Sequence, residues 1–312
     1  MLTALITGAN GFCAKWLIER LACEGGITII GLDLQPDHDP KTPIDDYFRV
    51  DVSDYDVLSD VVRHARPDLA FNLAGLTFGH PASIYRTNVL GCVNLLEAVK
   101  EHAPEAKVLT VGSAAEYGLV AAENMPITEE QPCRPFGAYG LSKYSATLIA
   151  MDYARREKMR VAVVRLFNIV GAGVPPALVV GALIQRAKKA LENGETSITV
   201  GNLDTQRDFV AVEDVVEGYF RLMQSENWGE VFNICSGAPI SVRSIAEMLL
   251  ANSPTPINLV VDQDLVRPSD VPIVYGSWEK ANRAFGFRPS TDIEDALKFA
   301  WEFAEIGVPG CA

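Results

Sequence analysis

Apolar and polar positions follow two different periods along the first half of the chain. Short apolar runs bounded by turn residues predict strands, whereas apolar positions that recur every three to four residues predict helices. The predicted strands are 2–7, 27–32, 69–73, 108–111 and 161–167. Amphipathic segments lie between them at 12–24, 55–65, 82–102 and 139–158. This alternation predicts an α/β fold with a Rossmann-type doubly wound parallel sheet, covered by helices on both faces.

The pattern changes after Gly171, where prolines interrupt shorter elements. The elements predicted there are helices near 178–193, 241–251 and 291–306, a helix at 209–223 and a strand at 231–234. We therefore predict a dinucleotide-binding Rossmann domain over 1–170, rejoined by about 207–235. A smaller C-terminal substrate-binding lobe is predicted from 171–206 and 236–312. In a doubly wound sheet the ligand lies beyond the carboxyl ends of the strands, so the functional residues are expected there.

Composition and charge narrow the classes of partner. The chain has 312 residues, 48% hydrophobic and 21% charged, which is typical of a globular protein. Its formal net charge of −13 disfavours nucleic acid, because phosphate backbones bind basic surfaces. No apolar run reaches the roughly 18 residues that span a bilayer, and no signal-peptide pattern opens the sequence. We expect a cytoplasmic protein that binds neither membranes nor nucleic acid.

The residues that commonly bind metals are scattered. The 4 histidines and 6 cysteines form no C-x-x-C pair and show no metal-ligand spacing. We therefore expect no metal site, and we expect reduced thiols rather than a disulfide framework. A small anionic substrate would require a few locally placed arginines in so acidic a chain.

A glycine-rich turn follows the first predicted strand. Gly8, Asn10, Gly11 and Phe12 lie where that strand meets the first helix. Glycines in such a turn let backbone N–H groups approach a pyrophosphate at the helix N-terminus. The turn alone is a weak signal, because glycine-rich turns also occur for purely structural reasons.

Asp33 strengthens the prediction of a dinucleotide site. It ends the second strand roughly 20 residues beyond the turn, where a carboxylate accepts hydrogen bonds from an adenosine ribose. No Lys or Arg follows before Lys41, so this segment offers no cation to a 2′-phosphate. NAD(H) is therefore predicted as the cofactor, ahead of NADP(H). The alternative interpretation of Asp33 is an ordinary carboxylate in the loop after a strand.

Three residues suggest proton-transfer chemistry. Tyr139 and Lys143 are four residues apart in a predicted helix and so share one face, where an ammonium stabilises a phenolate. Ser113 follows a central strand, where its hydroxyl can hydrogen-bond a substrate oxygen. A surface tyrosine beside a solvated lysine, and a serine that caps a strand end, are the alternatives. The order of these residues on a βα framework favours an oxidoreductase site.

Several further segments complete the pattern. They are T-G-A-N-G-F at 7–12, Asp51-Val52, N-L-A-G at 72–75, Tyr117-Gly118, R-L-F-N at 165–168 and R-D-F-V-A-V-E-D-V at 207–215. With these motifs the chain resembles the extended short-chain dehydrogenases/reductases, the NAD-dependent epimerase/dehydratase family, over almost its whole length. The resemblance implies a nucleotide-diphosphate sugar as substrate. It also implies a homodimer paired through the helices near 82–102 and 139–158.

The resemblance assigns residues to three groups. The catalytic group is Ser113, Tyr139 and Lys143, and the last two also contact the cofactor. The cofactor group contains the glycine turn, Asp33, Asp51, Val52, Leu73, Ala74 and Gly75. The substrate group contains Ser113, Asn168, Arg207 and Arg267, of which the last three would meet the diphosphate. Two of these residues are the local cations that an anionic substrate requires.

The residues after Ser113 narrow the reaction. Dehydratases of the family place an acidic residue two positions before Tyr117, and fucose-synthase-like epimerase/reductases place a cysteine there. This chain has Ala115, preceded by Ala114. Glu116 lies one position later and is expected to have a structural or hydrogen-bonding role. Chemistry that needs only a hydride and one proton remains, which is either reduction of a 4-keto sugar or C4 epimerisation through a transient ketone.

Two segments of the second half favour reduction. Residues 201–209 and 267–272 resemble those of GDP-4-dehydro-6-deoxy-D-mannose reductases, which implies NAD(P)H-dependent formation of a GDP-6-deoxyhexose such as GDP-D-rhamnose. An NAD-dependent C4 epimerase is the alternative, and Asp33 gives it some support. A redox-inactive NAD-binding regulator is a remote alternative, because such modules typically lose the Tyr–Lys pair.

Overall fold

The computed structural model of the chain describes residues 2–265 and 271–304. The strands are β1 (Leu2–Thr7), β2 (Ile27–Asp33), β3 (Asp46–Arg49), β4 (Leu69–Asn72), β5 (Lys107–Ser113), β6 (Arg160–Leu166), β7 (Asn168–Val170), β8 (Ser197–Val200), β9 (Gln206–Ala211), β10 (Val231–Ile234), β11 (Pro239–Ser241), β12 (Asn258–Val261) and β13 (Ile273–Val274). The helices are α1 (Phe12–Glu24), α2 (Tyr55–Ala65), α3 (Pro81–Tyr85), α4 (Gly91–His102), α5 (Gly137–Arg156), α6 (Val179–Glu192), α7 (Val212–Gln224), α8 (Val242–Leu250), α9 (Glu279–Phe285) and α10 (Ile293–Glu302). Within the described ranges, no helix has the length and apolar character needed to cross a membrane.

Seven strands form the main sheet, in the order β10-β6-β5-β4-β1-β2-β3. All neighbouring strands run parallel. The strand order reverses between β1 and β4, so the loops after these strands diverge and open a crevice at the carboxyl edge of the sheet. The predicted α/β fold with a Rossmann-type doubly wound sheet is confirmed, and the predicted functional residues of the first half follow these strands.

Helices bury both faces of the main sheet. Leu5 and Ile6 are fully buried and point to opposite faces, as neighbours on a strand must. Ile6 belongs to the apolar cluster under α1 and α7, whereas Leu5 belongs to the cluster under α2, α4 and α5. Burial on both faces explains why the central strands are continuous apolar runs in the sequence.

The second half of the chain builds a separate apolar cluster. Helices α6, α8 and α10 pack around it, together with a small sheet in which β9 pairs with β7, β11 and β13. Strands β8 and β12 form an additional parallel pair. Strand β10 instead adds to the main sheet beside β6. The division into a Rossmann domain and a C-terminal substrate-binding lobe, with the boundaries given above, stays a prediction.

Three local features differ from the sequence-based expectations. The helix predicted at 209–223 begins at Val212, because the three residues before it pair with β7 as part of β9. The helix predicted at 82–102 contains a π-helical turn at Arg86–Leu90. Cys13, Cys92, Cys133 and Cys235 are free as expected, but Cys23 is disulfide-bonded. Cys23 is exposed near the end of α1, so its sulfur is not enclosed by the core.

The helices expected to pair in a dimer use part of their apolar surface internally. Leu96 and Ala146 are buried in the cluster shared by α2, α4 and α5, so they serve the core and are not available to a partner. Some large apolar side chains in the helical segments between residue 86 and the end of α5 remain exposed to solvent. They are Leu90, Leu141 and Leu148.

Candidate active site

The turn between β1 and α1 fits a pyrophosphate. Gly8 has φ +70°, and a Cβ at this position would lie 2.9 Å from the backbone of Ala74, so only glycine suits it. The Gly11 N–H donates to the Gly8 carbonyl over 2.8 Å and closes the turn. The N-cap residue of α1 is Gly11, which has no side chain that could cap the helix, and the helix begins at Phe12. The N–H groups of this first turn can therefore bind an anion at the positive end of the helix.

Thr7 links the two chain segments that border the candidate cofactor groove. Its hydroxyl oxygen accepts hydrogen bonds from the N–H groups of Leu73 and Ala74, each over 3.1 Å. This contact fixes the segment after β4 against the end of β1. The predicted cofactor residues Leu73, Ala74 and Gly75 therefore lie beside the glycine turn.

Asp33 lies at the end of β2 and faces the glycine turn. Its carboxylate accepts the Asn10 N–H over 3.0 Å and the Gln35 N–H over 3.1 Å. The carboxylate thus orders the turn and still has lone pairs for a ribose diol. Its register partner on β3 is Arg49, whose Nε donates to the Leu34 carbonyl over 3.2 Å. The sequence interpretation missed this arginine because it did not predict β3.

Asp51 and Val52 follow β3 at the same edge of the sheet. The Asp51 carboxylate accepts from the Ser53 N–H over 2.9 Å and from the Ser53 hydroxyl over 2.7 Å. The Val52 carbonyl accepts from the Asn94 side chain over 3.0 Å. A Cβ at Gly91 would lie 2.6 Å from the Val52 side chain, so α4 packs closely against this segment. These contacts fix the backbone of Asp51 and Val52, two residues of the predicted cofactor group.

The three catalytic candidates come from β5 and α5. Ser113 ends β5 and is buried, Tyr139 is half-buried in the first turn of α5, and Lys143 is buried one turn later. The ammonium of Lys143 donates to the Val111 carbonyl over 2.9 Å. It lies so close to the groove that a Cβ at Gly75 would approach it within 3.2 Å. Lys143 therefore connects α5 to the candidate cofactor groove.

Asn88 is a further residue of this region that the motifs did not indicate. It lies in the π-helical turn, and its side chain bonds both the N–H and the carbonyl of Leu76, over 2.8 and 2.9 Å. Its amide also donates to the Ser142 hydroxyl over 2.9 Å. Asn88 thereby ties the loop after Gly75 to α5, next to Lys143. The sequence signal for it is weak, since Asn88 is one of several polar residues in the helix predicted at 82–102.

A buried hydrogen-bond network around Glu116 holds Ser113 in place. The Glu116 carboxylate is fully buried and accepts from the Ser113 N–H over 2.9 Å, the Thr147 hydroxyl over 3.0 Å and Arg165 Nε over 2.8 Å. The Ser113 hydroxyl oxygen accepts the Ala115 N–H over 3.1 Å, so Ser113 and Glu116 form a capping box. The structural role predicted for Glu116 is confirmed.

The network continues through Arg165 and Tyr117. A terminal nitrogen of Arg165 donates to the Tyr117 hydroxyl over 3.2 Å, and that hydroxyl donates to the Asn233 side chain over 2.6 Å. Burial raises the pKa of Tyr117 above its ordinary range, although the neighbouring guanidinium opposes the rise. Tyr117 is therefore a neutral hydrogen-bonding residue of the core. It is not a candidate acid.

The predicted substrate residues lie on the small sheet. Asn168 on β7 donates to the Asp208 carbonyl over 2.8 Å, and Arg207 on β9 donates to the Gln206 and Val271 carbonyls over 2.8 and 2.7 Å. Strands β7 and β9 are neighbours, so these two candidates come together. Arg267 lies outside the described residues.

Asp208 holds the segments around these candidates in place. Its buried carboxylate accepts from the Ser236 N–H, the Ser236 hydroxyl, the Gly237 N–H and the Gly276 N–H, over 2.7, 2.8, 3.0 and 3.2 Å. Burial raises the pKa of Asp208, and these hydrogen bonds partly offset the rise. The carboxylate thus links β9 to the segments that follow β10 and β13.

Comparison with known proteins gives matches that extend over almost the whole chain. A family model described as GDP-mannose 4,6-dehydratase matches residues 5–299. A GDP-6-deoxy-D-mannose reductase from Pseudomonas aeruginosa is 31% identical over 301 residues, which cover 94% of each chain. UDP-glucose 4-epimerase 4 from Oryza sativa subsp. japonica is 27% identical over 336 residues, covering 97% of this chain and 90% of the relative.

A solved structure agrees with the sequence relatives. The RMD protein of Pseudomonas aeruginosa, complexed with NADPH, superposes with a TM-score of 0.85. The two chains are 29% identical in sequence, and the match covers 98% of this chain and 99% of the other. The similarity therefore includes both the main sheet and the part of the chain that follows it.

Proposed function

We propose that this chain, which belongs to the GDP-mannose 4,6-dehydratase family of extended short-chain dehydrogenases/reductases, is a reductase. It reduces the 4-keto group of a nucleotide 4-keto-6-deoxyhexose with NAD(P)H. The family predicted from the sequence is confirmed. The substrate that we propose is GDP-4-dehydro-6-deoxy-D-mannose and the product GDP-D-rhamnose. The name of the Pseudomonas aeruginosa relative supports this substrate, and the solved complex of the Pseudomonas aeruginosa RMD protein with NADPH supports the cofactor.

One observation favours reduction over dehydration. Elimination of water needs an acid–base residue beside the sugar, and the turn after Ser113 offers only Ala114, Ala115 and Glu116. The Glu116 carboxylate is fully buried and already accepts three hydrogen bonds from the protein. It is therefore directed into the core and cannot serve the substrate. A reaction that needs a hydride and a single proton remains.

Each candidate residue has a task in this reaction. The reduced nicotinamide supplies the hydride to C4 when it is bound. Ser113 donates a hydrogen bond to the carbonyl oxygen and so polarises the ketone. Tyr139 gives the proton to that oxygen as the alcohol forms. Lys143 stabilises the resulting phenolate and donates to the nicotinamide ribose with N–H groups that its bond to Val111 leaves available.

The proposal is tested with the purified chain and GDP-4-dehydro-6-deoxy-D-mannose. We expect oxidation of added NADH or NADPH, with one GDP-D-rhamnose formed per cofactor and identified by NMR. GDP-mannose and UDP-glucose, which carry an ordinary 4-hydroxyl group, should remain unchanged in parallel reactions. Interconversion of C4 epimers without added reductant would instead contradict the proposal and identify the chain as an epimerase.

We also propose a homodimer in the cytoplasm, paired through α4 and α5. Leu141 and Leu148 are two turns apart on one side of α5 and are both exposed, Leu148 at 54%. Leu90 is exposed just before α4. Exposed leucines on adjacent helices form a surface that a second copy of the chain would remove from water.

A further inference from the structure

The carbons beside the ketone are chemically vulnerable in the proposed reaction. When Ser113 and Tyr139 polarise the C4 carbonyl, the neighbouring carbons C3 and C5 lose a proton more readily than in the free sugar. A base next to either carbon would form an enolate, and solvent can return the proton to either face of that carbon. Retention of the configuration of the sugar therefore requires a site that polarises the ketone without presenting a base.

Ala115 lies between the two segments that carry these hydroxyl groups. Its N–H donates to the Ser113 hydroxyl oxygen over 3.1 Å. A Cβ at Gly140, the residue after Tyr139, would lie 2.9 Å from the Ala115 carbonyl oxygen, so the first turn of α5 packs directly against it. The residue is half-buried. Ala115 therefore borders the space in which the C4 carbonyl would lie.

The turn after β5 sets the direction of the Ala115 side chain. Ala114–Glu116 form a 3₁₀ turn, in which successive side chains are about 120° apart. Glu116 points into the core, where its carboxylate is fully buried. Ala114 packs against a buried apolar cluster that contains Phe167. The third direction belongs to Ala115, whose methyl group is thereby directed toward the open carboxyl edge of the sheet.

Two acid–base side chains near this turn are not available as bases. The Glu116 carboxylate already accepts three hydrogen bonds from the protein. Burial raises the pKa of the Cys133 thiol, although Arg165 opposes the rise, so this thiol is protonated at neutral pH. A base at residue 115 would, in contrast, face the substrate, and this chain has a methyl group there.

We propose that Ala115 is a specificity-determining residue that preserves the configuration of the carbons beside C4. Its methyl group borders the sugar without offering a proton acceptor, so the reaction is limited to hydride addition at C4 and protonation of the C4 oxygen. A carboxylate at this position would take a proton from C3 or C5. The electron pair of that C–H bond would pass to the C4 oxygen, and solvent would then return a proton to the carbon. The proposal rests on the proposed reduction and states how it is confined to one carbon.

Exchange with D₂O measures this property without turnover. GDP-4-dehydro-6-deoxy-D-mannose is incubated in D₂O with the protein and oxidised cofactor, and mass spectrometry and NMR then locate deuterium at C3 and C5. The wild-type protein should add no deuterium above the level of the substrate incubated alone. Ala115→Glu should accelerate exchange at one of these carbons by about 10²-fold, the lower end of what a positioned general base contributes.

Two further variants serve as controls. Ala121→Glu adds the same side chain at an exposed alanine of the following loop and should leave the exchange unchanged. Ala115→Cys introduces a smaller side chain that the turn accommodates more easily. Its exchange should increase as the pH is raised, because a cysteine thiol loses its proton with a pKa of about 8.5. Circular dichroism verifies that each variant is folded.

The outcomes separate this proposal from the reductase proposal. Exchange in Ala115→Glu and Ala115→Cys, but not in Ala121→Glu, supports the assignment of Ala115. Folded Ala115 variants without exchange, or deuterium at C3 or C5 in the wild-type incubation, would overturn the assignment while reduction of the 4-keto sugar is still observed. Absence of reduction by the wild-type protein would overturn the proposed function and this inference with it.

Discussion

Glu116→Gln tests the buried network that supports Ser113. Glutamine has nearly the same shape as glutamate, so the substitution creates no cavity, and its amide oxygen can still accept from the Ser113 N–H and the Thr147 hydroxyl. The amide nitrogen, however, replaces the oxygen that faces Arg165 Nε over 2.8 Å. Two donors then oppose each other, and the guanidinium, which is 5% exposed, loses its counter-charge.

The expected cost follows from this burial. Removing one partner of a buried ion pair typically costs about 3–5 kcal/mol, because the remaining charge stays desolvated. Arg165 keeps its hydrogen bond to the Tyr117 hydroxyl, so we expect a loss near the lower end, about 3 kcal/mol in the free energy of unfolding. The uncharged amide oxygen is also a weaker acceptor for the Ser113 N–H than the carboxylate, so kcat should fall together with stability.

Urea denaturation of the wild type and Glu116→Gln measures the loss, and two comparisons interpret it. Arg63→Gln breaks the exposed pair with Asp60 and should cost about 0–1 kcal/mol. The double variant Glu116→Gln/Arg165→Met should be less destabilised than the sum of its single variants, because no charge stays buried alone. A loss below about 1 kcal/mol for Glu116→Gln would refute the view that this pair is a buried, desolvated contact.

Three further predictions concern the reacting group, a buried thiol and the proposed dimer. Tyr139→Phe should lower kcat by about 10²–10⁴-fold with little change in cofactor affinity. The control variant Tyr144→Phe, one residue beyond Lys143, should retain activity. Equal activity of both variants would exclude Tyr139 as the proton donor. Burial raises the pKa of the Cys92 thiol from 9.0 to about 12, although Lys143 opposes the rise. The unfolded chain therefore loses this proton first, so Cys92 should contribute a fall in stability of about 1.4 kcal/mol per pH unit between about pH 9 and pH 12. Urea denaturation over this pH range should show a shallower fall for Cys92→Ala than for the wild type, while Cys13, whose pKa burial also raises, contributes to the slope of both proteins. Leu148→Glu should convert a dimer to a monomer in light scattering, and a wild-type monomer at micromolar concentration would contradict the proposed pairing.

The sequence predicted the elements whose signals are local. Strand β1, helix α1 and helix α2 have the predicted bounds, since both faces of the strand are apolar and each helix has a continuous amphipathic pattern. The glycine turn could be located because the backbone conformation at Gly8 itself requires a glycine. The sequence also indicated that Ser113, Tyr139 and Lys143 belong together, because successive loops of a parallel sheet meet at one edge.

The sequence could not predict features that depend on distant contacts. Strand β3 contains only Tyr47 and Phe48 as apolar residues, and it is a strand because it pairs with β2 at the edge of the main sheet. Its omission concealed Arg49. The π-helical turn contains Asn88, whose hydrogen bonds to Leu76 cross a loop and are likewise not revealed by helix periodicity.

The position of one carboxylate links the fold to the type of reaction. Ala114–Glu116 form a 3₁₀ turn after Ser113, and one step along such a turn rotates a side chain by about 120°. An acid at residue 115 and an acid at residue 116 therefore point in different directions from the same backbone. At residue 116 the carboxylate meets Arg165 in the core and stabilises the strand end that presents Ser113. A shift of one residue thus distinguishes an acid–base group for elimination from a structural anchor. This chain has the anchor, Glu116, and it retains the candidate groups for transfer of a hydride and a single proton.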